Sequence, residues 1–278
     1  MKHLQNLHTH STYCDGADTP EEMIQTAIEK GFESLGFSGH AYMPFSPSAT
    51  SPERMEACRE EVARLKEAYR GKIGIFYGQE VEMYSPISLD GYDYLIGSCH
   101  YFDFDGKKVA YDRPAQTVRA VIDDWFGGNG LAYAKAYYQN LTRLPERGDF
   151  DILGHFDLIT KHSEKEHFFD TECDEYKEYA VRAIESLAEK IPFFEVNTGA
   201  IARGYRTSPY PSPFLTRKLH DFGFKAVISS DCHHRQDLDC CFKEAAQLLL
   251  DCGFTERYIL TDDGFKPVSL KEDLEWAP

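Results

Sequence analysis

The stretch LQNLHTH, residues 4–10, joins a short β-prone run to two histidines, His8 and His10. Alternate side chains of a β-strand point to the same face, so both histidines could bind one metal ion at the end of a strand. The arrangement recurs near the other end of the chain, where SDCH holds Asp231 and His233 one residue apart. The two stretches predict metal ligands at strand ends near both ends of the sequence.

Short apolar or β-prone runs alternate with helical patterns along the chain. The predicted strands are Leu4–Leu7, Ser34–Phe37, Ile73–Tyr77, Tyr94–Ile96, Asp151–Leu153, Phe193–Val196 and Ala226–Ile228. The predicted helices are Pro20–Lys30, Pro52–Tyr69, Ala115–Trp125, Leu131–Leu144, Thr171–Glu189, Pro213–Asp221 and Leu238–Asp251. Proline near the helix starts and glycine after several helix ends support these boundaries. Because most strands are followed by a helix, the sequence predicts an α/β fold with parallel pairing.

Ligand-type residues lie at the C-terminal end of every predicted strand. In chain order they are His8 and His10, His40, Glu80, His100, His155, Glu195 and Asn197, and Asp231 and His233. In a closed barrel of parallel strands the active site lies at the C-terminal ends of the strands, whereas an open doubly wound sheet binds ligands only near a switch point. Contributions from all seven strands favour the barrel. No linker, charge block or repeat divides the sequence, so we expect one domain over residues 1–278.

The composition restricts the classes of partner. Lysine and arginine number 30 against 46 aspartates and glutamates, and the resulting net charge of −16 disfavours nucleic-acid binding. No segment approaches the uncharged length of a membrane helix, and the eight cysteines form no CxxC pair, so we expect a cytoplasmic protein without a membrane partner. A small phosphate ester stays possible as a substrate, because divalent ions would offset carboxylates in a metal cavity.

The motifs resemble the PHP (polymerase and histidinol phosphatase) superfamily in kind and in order, over nearly the whole chain. They are HTHS from His8, DG at Asp15, GH at His40, GQE at Glu80, SCH at His100, GHFD at His155 and SDCH at His233. Two more, EVNTGA at Glu195–Ala200 and YPSP at Tyr210–Pro213, resemble the monofunctional histidinol-phosphate phosphatase branch. The resemblance implies a distorted (β/α)7, TIM-like barrel of the PHP type with a trinuclear metal site.

The resemblance also implies a distribution of ligands and a cofactor of two to three Zn, Mn or Fe ions. The three implied ligand sets are His8, His10, Glu80 and Asp231; Asp15, His40 and His233; and bridging Glu80 with His100 and His155. Some branches carry histidine in place of Asp15, and a carboxylate there shifts the preference towards harder metals.

The implied activity is hydrolysis of L-histidinol phosphate to L-histidinol and phosphate, a step of histidine biosynthesis, by attack of a metal-bridging hydroxide on phosphorus. The candidate catalytic residues are Glu80, Asp231 and His233, and the candidate substrate-binding residues are Arg203, Arg206 and Lys161. Arginine suits bidentate phosphate contacts, and all three cations follow predicted strands.

Two other interpretations stay open. The first is a PHP phosphoesterase that acts on another small phosphate ester, a nucleotide or a phosphotyrosyl peptide. The second is a non-catalytic, metal-binding PHP module, which is disfavoured because all nine expected ligand positions hold coordinating residues. In either case Tyr101–Arg113 and Arg203–Pro213, after the fourth and sixth strands, are long enough to be functional loops.

Overall fold

Parallel strands form a nearly closed barrel in the computed structural model, which describes residues 1–46, 49–104 and 106–275. The strands in these residues are β1 (Gln5–Asn6), β2 (Ser34–Phe37), β3 (Gly74–Glu82), β4 (Tyr94–Ser98), β5 (Tyr101–Phe104), β6 (Lys107–Ala110), β7 (Ile152–Leu153), β8 (Phe193–Asn197), β9 (Lys225–Ser229), β10 (Glu256–Thr261) and β11 (Gly264–Ser269). Seven of them pair in the order β1-β2-β3-β4-β7-β8-β9. A parallel bridge between Thr9 and Cys232 connects the two outer strands. The predicted barrel of seven parallel strands is confirmed.

Helices connect the barrel strands. In the described part of the chain they are α1 (Pro20–Glu29), α2 (Pro52–Ala68), α3 (Ala115–Phe126), α4 (Gly130–Leu141), α5 (Leu144–Arg147), α6 (Asp174–Leu187), α7 (Gly199–Ala202), α8 (Pro213–Asp221), α9 (Phe242–Asp251) and α10 (Leu270–Glu275). All seven predicted helices are present, and Thr19 and Glu22 form a capping box at the start of α1. None of the helices in the described residues combines the length and apolar character of a membrane span.

The C-terminal hairpin β10–β11 covers the N-terminal end of the barrel. The side chain of Gln5 in β1 accepts a hydrogen bond from the backbone N–H of Leu260 and donates one to its carbonyl, at 2.8 and 2.7 Å. Leu260 packs into an apolar cluster with barrel residues such as Leu7 and Ile152. Arg257, in strand β10 of the hairpin, forms a buried ion pair with Asp273 in α10. Because the hairpin covers the N-terminal end of the barrel, a functional site can lie at the other end, where the strands have their C-termini.

The segment Tyr101–Arg113, which the sequence predicts as a functional loop, is more ordered than a loop. It begins with the antiparallel hairpin β5–β6, apart from residue 105, which lies outside the described residues. Phe102 of this hairpin packs against Tyr111 and Tyr133, with ring centroids 4.9 and 6.5 Å away. This aromatic packing fixes the hairpin on α4, next to the mouth of the barrel.

Tyr94 fills the barrel interior because two neighbouring strands have glycine where it lies. It is 1% exposed, and its hydroxyl donates to the carbonyl of Leu7 at 2.5 Å. A Cβ atom at Gly78 would lie 2.3 Å from the Tyr94 ring, and one at Gly36 would lie 2.2 Å from its hydroxyl oxygen. The two glycines therefore provide the space for the tyrosine ring.

The substitution Gly78→Ala is expected to lower the free energy of unfolding by about 1–3 kcal/mol, because the new methyl group overlaps the Tyr94 ring. Urea unfolding measures the change. In a Tyr94→Leu background the same substitution should cost clearly less, since the ring is gone. Equal costs in the two backgrounds would mean that the tyrosine is not what requires glycine at this position.

Candidate metal centre

Nine potential ligand side chains meet at the C-terminal end of the barrel. They are His8 and His10 after β1, Asp15 in the following turn, His40 after β2, Glu80 in β3, His100 after β4, His155 after β7, and Asp231 and His233 after β9. Their ligand atoms form three groups, each with all members within 4.8 Å of one another: His10, Asp15, His40 and His233; His8, His10 and Asp231; and Glu80, His100 and His155. The structure thus brings together all nine residues that the sequence singles out as metal ligands.

Glu80 lies at the centre of this cluster. Its Oε2 is 2.7 Å from Nδ1 of His40 and 3.5 Å from Nε2 of His8. Its Oε1 is 3.1 Å from Nε2 of His155 and 3.4 Å from Nε2 of His100. One carboxylate therefore contacts histidines that come from four separate strands.

The position of Glu80 within its strand differs from the expectation. The sequence places it after the third strand, but β3 continues to Glu82. The first half of β3 pairs with β2 up to Tyr77, and its second half pairs with β4 from Gly78 onwards. Strand β4 supplies backbone hydrogen bonds to β3 beyond the apolar run, so β3 continues past Glu80.

Several buried atoms in the cluster have no hydrogen-bond partner among the described residues. They include Nε2 of His8, Nε2 of His10 and Oε2 of Glu80. The His10 atom is 3.2 Å from Oδ1 of Asp231, also within the cluster. Buried polar atoms are normally satisfied, and unsatisfied imidazole and carboxylate atoms that face one another fit divalent cations between them. The residues present therefore suit divalent metal binding.

The charges in the cluster depend strongly on one another. Burial lowers the pKa of His8, but the carboxylates of Glu195, Asp231 and Glu80 outweigh burial and raise it to about 10. Burial raises the pKa of Asp231, but Arg203 and His8 hold it well below the ordinary value. The carboxylates are thus anionic, and without a metal they attract protons to the imidazoles. A divalent cation would take the place of such protons.

Two buried glutamates orient the histidine rings from behind. Oε2 of Glu195 is 2.9 Å from Nδ1 of His8, and Oε2 of Glu82 is 3.2 Å from Nδ1 of His100. A carboxylate at Nδ1 fixes the ring and leaves Nε2 towards the metal side. The sequence analysis singles out Glu195 as a ligand-type residue at a strand end, but it does not single out Glu82. Its spacing of two from Glu80 on one strand was the available signal.

The motif EVNTGA has a local structural reason. Asn197 donates to Oε1 of Glu195 at 2.8 Å and accepts from the backbone N–H of Gly199 at 2.9 Å. A Cβ atom at Gly199 would lie 3.0 Å from Cβ of Asp231. Asp231 itself adopts a left-handed φ of 45°, which aspartate tolerates better than most residues. The motif therefore supports both a histidine-orienting carboxylate and the turn that holds Asp231.

The substrate-binding candidates occupy different places. A cavity of about 150 Å³ lies over the cluster, and Arg203 and Lys161 line it. Arg203 donates to Oδ2 of Asp231 at 3.0 Å. Arg206 is not among the described residues that line this cavity. Its side chain is buried, donates a hydrogen bond to the hydroxyl of Thr160, and places its guanidinium 4.7 Å from the ring centre of Tyr210. Because α7 turns the chain back after β8, Arg206 packs behind the cavity wall.

Comparison with known proteins agrees with this architecture. The family model of the PHP domain matches residues 6–199. A probable histidinol-phosphatase of Deinococcus radiodurans is 26% identical over 91% of this chain and 95% of its own length. The histidinol-phosphatase of Bacillus subtilis is 24% identical over 85% of this chain and 96% of its own length.

A solved structure has the same fold. The histidinol phosphate phosphatase of Lactococcus lactis, complexed with zinc, L-histidinol and phosphate, superposes with a TM-score of 0.74 over 95% of this chain and 98% of its own, at 17% identity. At this identity the likeness concerns the fold. Together with the family match over most of the sequence, it bears out the resemblance seen in the motifs. The chain belongs to the PHP domain family.

Proposed function

We propose that this chain is a metal-dependent phosphomonoesterase that hydrolyses L-histidinol phosphate to L-histidinol and phosphate. The observation that carries the proposal is the cluster of nine ligand side chains directly below a cavity lined by Arg203 and Lys161. Relatives named histidinol-phosphatase that match this chain along nearly all of their own length support the choice of substrate. We further propose that residues 1–278 act as one catalytic domain in the cytoplasm.

The proposed ligands provide for two to three divalent ions, of zinc, manganese or iron. Glu80 is the proposed bridge, since both of its oxygens face histidine nitrogens. Following the family resemblance, we propose that the nine ligands divide as His8, His10, Glu80 and Asp231; Asp15, His40 and His233; and Glu80, His100 and His155. The groups formed by the interatomic distances differ in two points: they leave Glu80 out of the first set, and they place His10 with the second set as well as the first. When bound, such ions would supply water that deprotonates near neutral pH and would offset the charge of the phosphoryl oxygens.

The remaining groups of the site bind and orient. Arg203 is held against Asp231 and the backbone carbonyl of the same residue, at 3.0 and 2.8 Å. The planar guanidinium of Arg203 can donate to two phosphoryl oxygens at once, whereas Lys161, in the turn after β7, offers a single ammonium charge on a flexible side chain. The phosphate of the ester would thus meet two cationic side chains above the proposed metal ligands. We propose Arg203 and Lys161 as the phosphate-binding residues and Arg206 as a positioning residue behind them.

Steady-state kinetics of the metal-loaded protein test the substrate. We expect kcat/KM for L-histidinol phosphate to exceed that for p-nitrophenyl phosphate by at least about tenfold, because a cavity lined mainly by charged and polar side chains favours a polar, cationic alcohol over an aryl group. Nucleotides and a phosphotyrosyl peptide serve as further competitors. If histidinol phosphate were no better than these esters, the named substrate would be wrong, although the phosphatase chemistry could stand.

Substitution of the central glutamate tests the ligand assignment. Glu80→Gln should reduce both bound metal and kcat, by about a hundredfold or more, because the amide lacks the charge that bridges the ligand groups. Arg203→Ala should keep its metal and lose less activity, mainly through a raised KM. Glu178→Gln, on the surface of α6, is the matched control and should behave as wild type. Equal losses in Glu80→Gln and Arg203→Ala with unchanged metal content would refute the bridging role.

A further inference from the structure

We propose that Asp112 binds the protonated amine of the leaving alcohol and so determines selectivity for amino-alcohol phosphates. This inference rests on the proposed function. Four carboxylates line the cavity in the described part of the chain, and three of them, Asp15, Glu80 and Asp231, are proposed metal ligands. Asp112 is the carboxylate that the metals leave available, and a cationic substrate group in the cavity is stabilised by an anionic partner.

The position of Asp112 is fixed by its two neighbours in the chain. Tyr111 is buried among aromatic rings, and its N–H donates to the carbonyl of His100 at 2.7 Å. The carbonyl of Arg113 lies 2.8 Å from Nε2 of His162, which follows Lys161 directly. These contacts tie the segment after β6 to the turn after β7. The backbone on both sides of Asp112 is therefore fixed by hydrogen bonds, which hold the residue at the cavity wall.

Lys161 is the present partner of Asp112. Its Nζ donates to Oδ1 of Asp112 and lies 4.1 Å from the ring centre of Tyr205. Burial raises the pKa of Asp112, but the charges of Lys161, His100 and Arg203 outweigh burial and lower it, so the carboxylate is ionised. The other oxygen, Oδ2, has no hydrogen-bond partner among the described residues. Since a carboxylate accepts several hydrogen bonds, the ammonium group can bind at Oδ2 before Lys161 leaves Oδ1.

Substrate binding then exchanges partners without leaving a charge unpaired. The ammonium group of L-histidinol phosphate takes its place on Asp112, and the flexible side chain of Lys161 turns towards the phosphate. An ester without the amine offers nothing to Asp112. Recruiting Lys161 to its phosphate would leave a partly buried carboxylate without a cation, which is unfavourable. Selectivity for the amino-alcohol ester arises because Asp112 stays paired with a cation only when the substrate carries an amine.

The test compares L-histidinol phosphate with its deamino analogue, 3-(imidazol-4-yl)propyl phosphate, on Asp112→Asn. We expect wild type to prefer the amine, and Asp112→Asn to lose about 10- to 100-fold of that preference, mainly through KM for L-histidinol phosphate, with kcat/KM for the analogue changing less than about threefold. Asp112→Glu keeps the charge and should restore most of the preference. Asp263→Asn, which removes an aspartate paired with Lys266 at the β10–β11 turn, is the matched control.

Two results would overturn the inference while leaving the proposed function intact. One is an unchanged amine preference in Asp112→Asn. The other is an equal loss with both esters, which would show that Asp112 only positions Lys161. The proposed function fails separately, if wild type does not prefer L-histidinol phosphate to p-nitrophenyl phosphate. In that case the assignment of Asp112 to the amine falls with it.

Discussion

The buried Glu80 carboxylate, in contact with histidines from four other segments, is the interaction on which the rest of the site depends. Its oxygens lie 2.7–3.5 Å from nitrogens of His8, His40, His100 and His155. Burying a carboxylate is costly unless cations or hydrogen-bond donors compensate it. The surrounding imidazoles, and the metal ions that we propose between them, provide this compensation. Glu82 and Glu195 form a second layer of carboxylates around the cluster. Glu82 orients His100, and Glu195 orients His8.

The barrel makes this concentration of ligands possible. Parallel strands end on one face, so six of the seven barrel strands contribute proposed metal ligands to a common centre without a long excursion of the chain. The seventh, β8, contributes Glu195, which orients His8. The opposite face is covered by the β10–β11 hairpin, and the interior is filled by Tyr94 against Gly36 and Gly78. The packed interior supports the ligands from below, while the cavity over them stays open to a small ester.

Much of this arrangement could be predicted from the sequence, because barrel strands are short apolar runs and each of them has a ligand-type residue near its C-terminal end. The spacing of His8 and His10, and of Asp231 and His233, was sufficient to predict metal ligands at the ends of the first and last strands. Side-chain partners across the fold were not visible in the same way. Lys161 and Asp112 are 49 residues apart, and their ion pair depends on how two loops meet. Arg206 has the residue type of a phosphate ligand, but only the turn of α7 decides that it packs behind the cavity.

Metal analysis of the protein as isolated, measured together with its activity on L-histidinol phosphate, tests the central claim most directly. The account predicts two to three divalent ions per chain, as expected for three adjoining ligand groups. It also predicts that phosphatase activity falls in proportion when a chelator removes them and returns when they are restored. Full activity in protein that holds less than one ion per chain would contradict it.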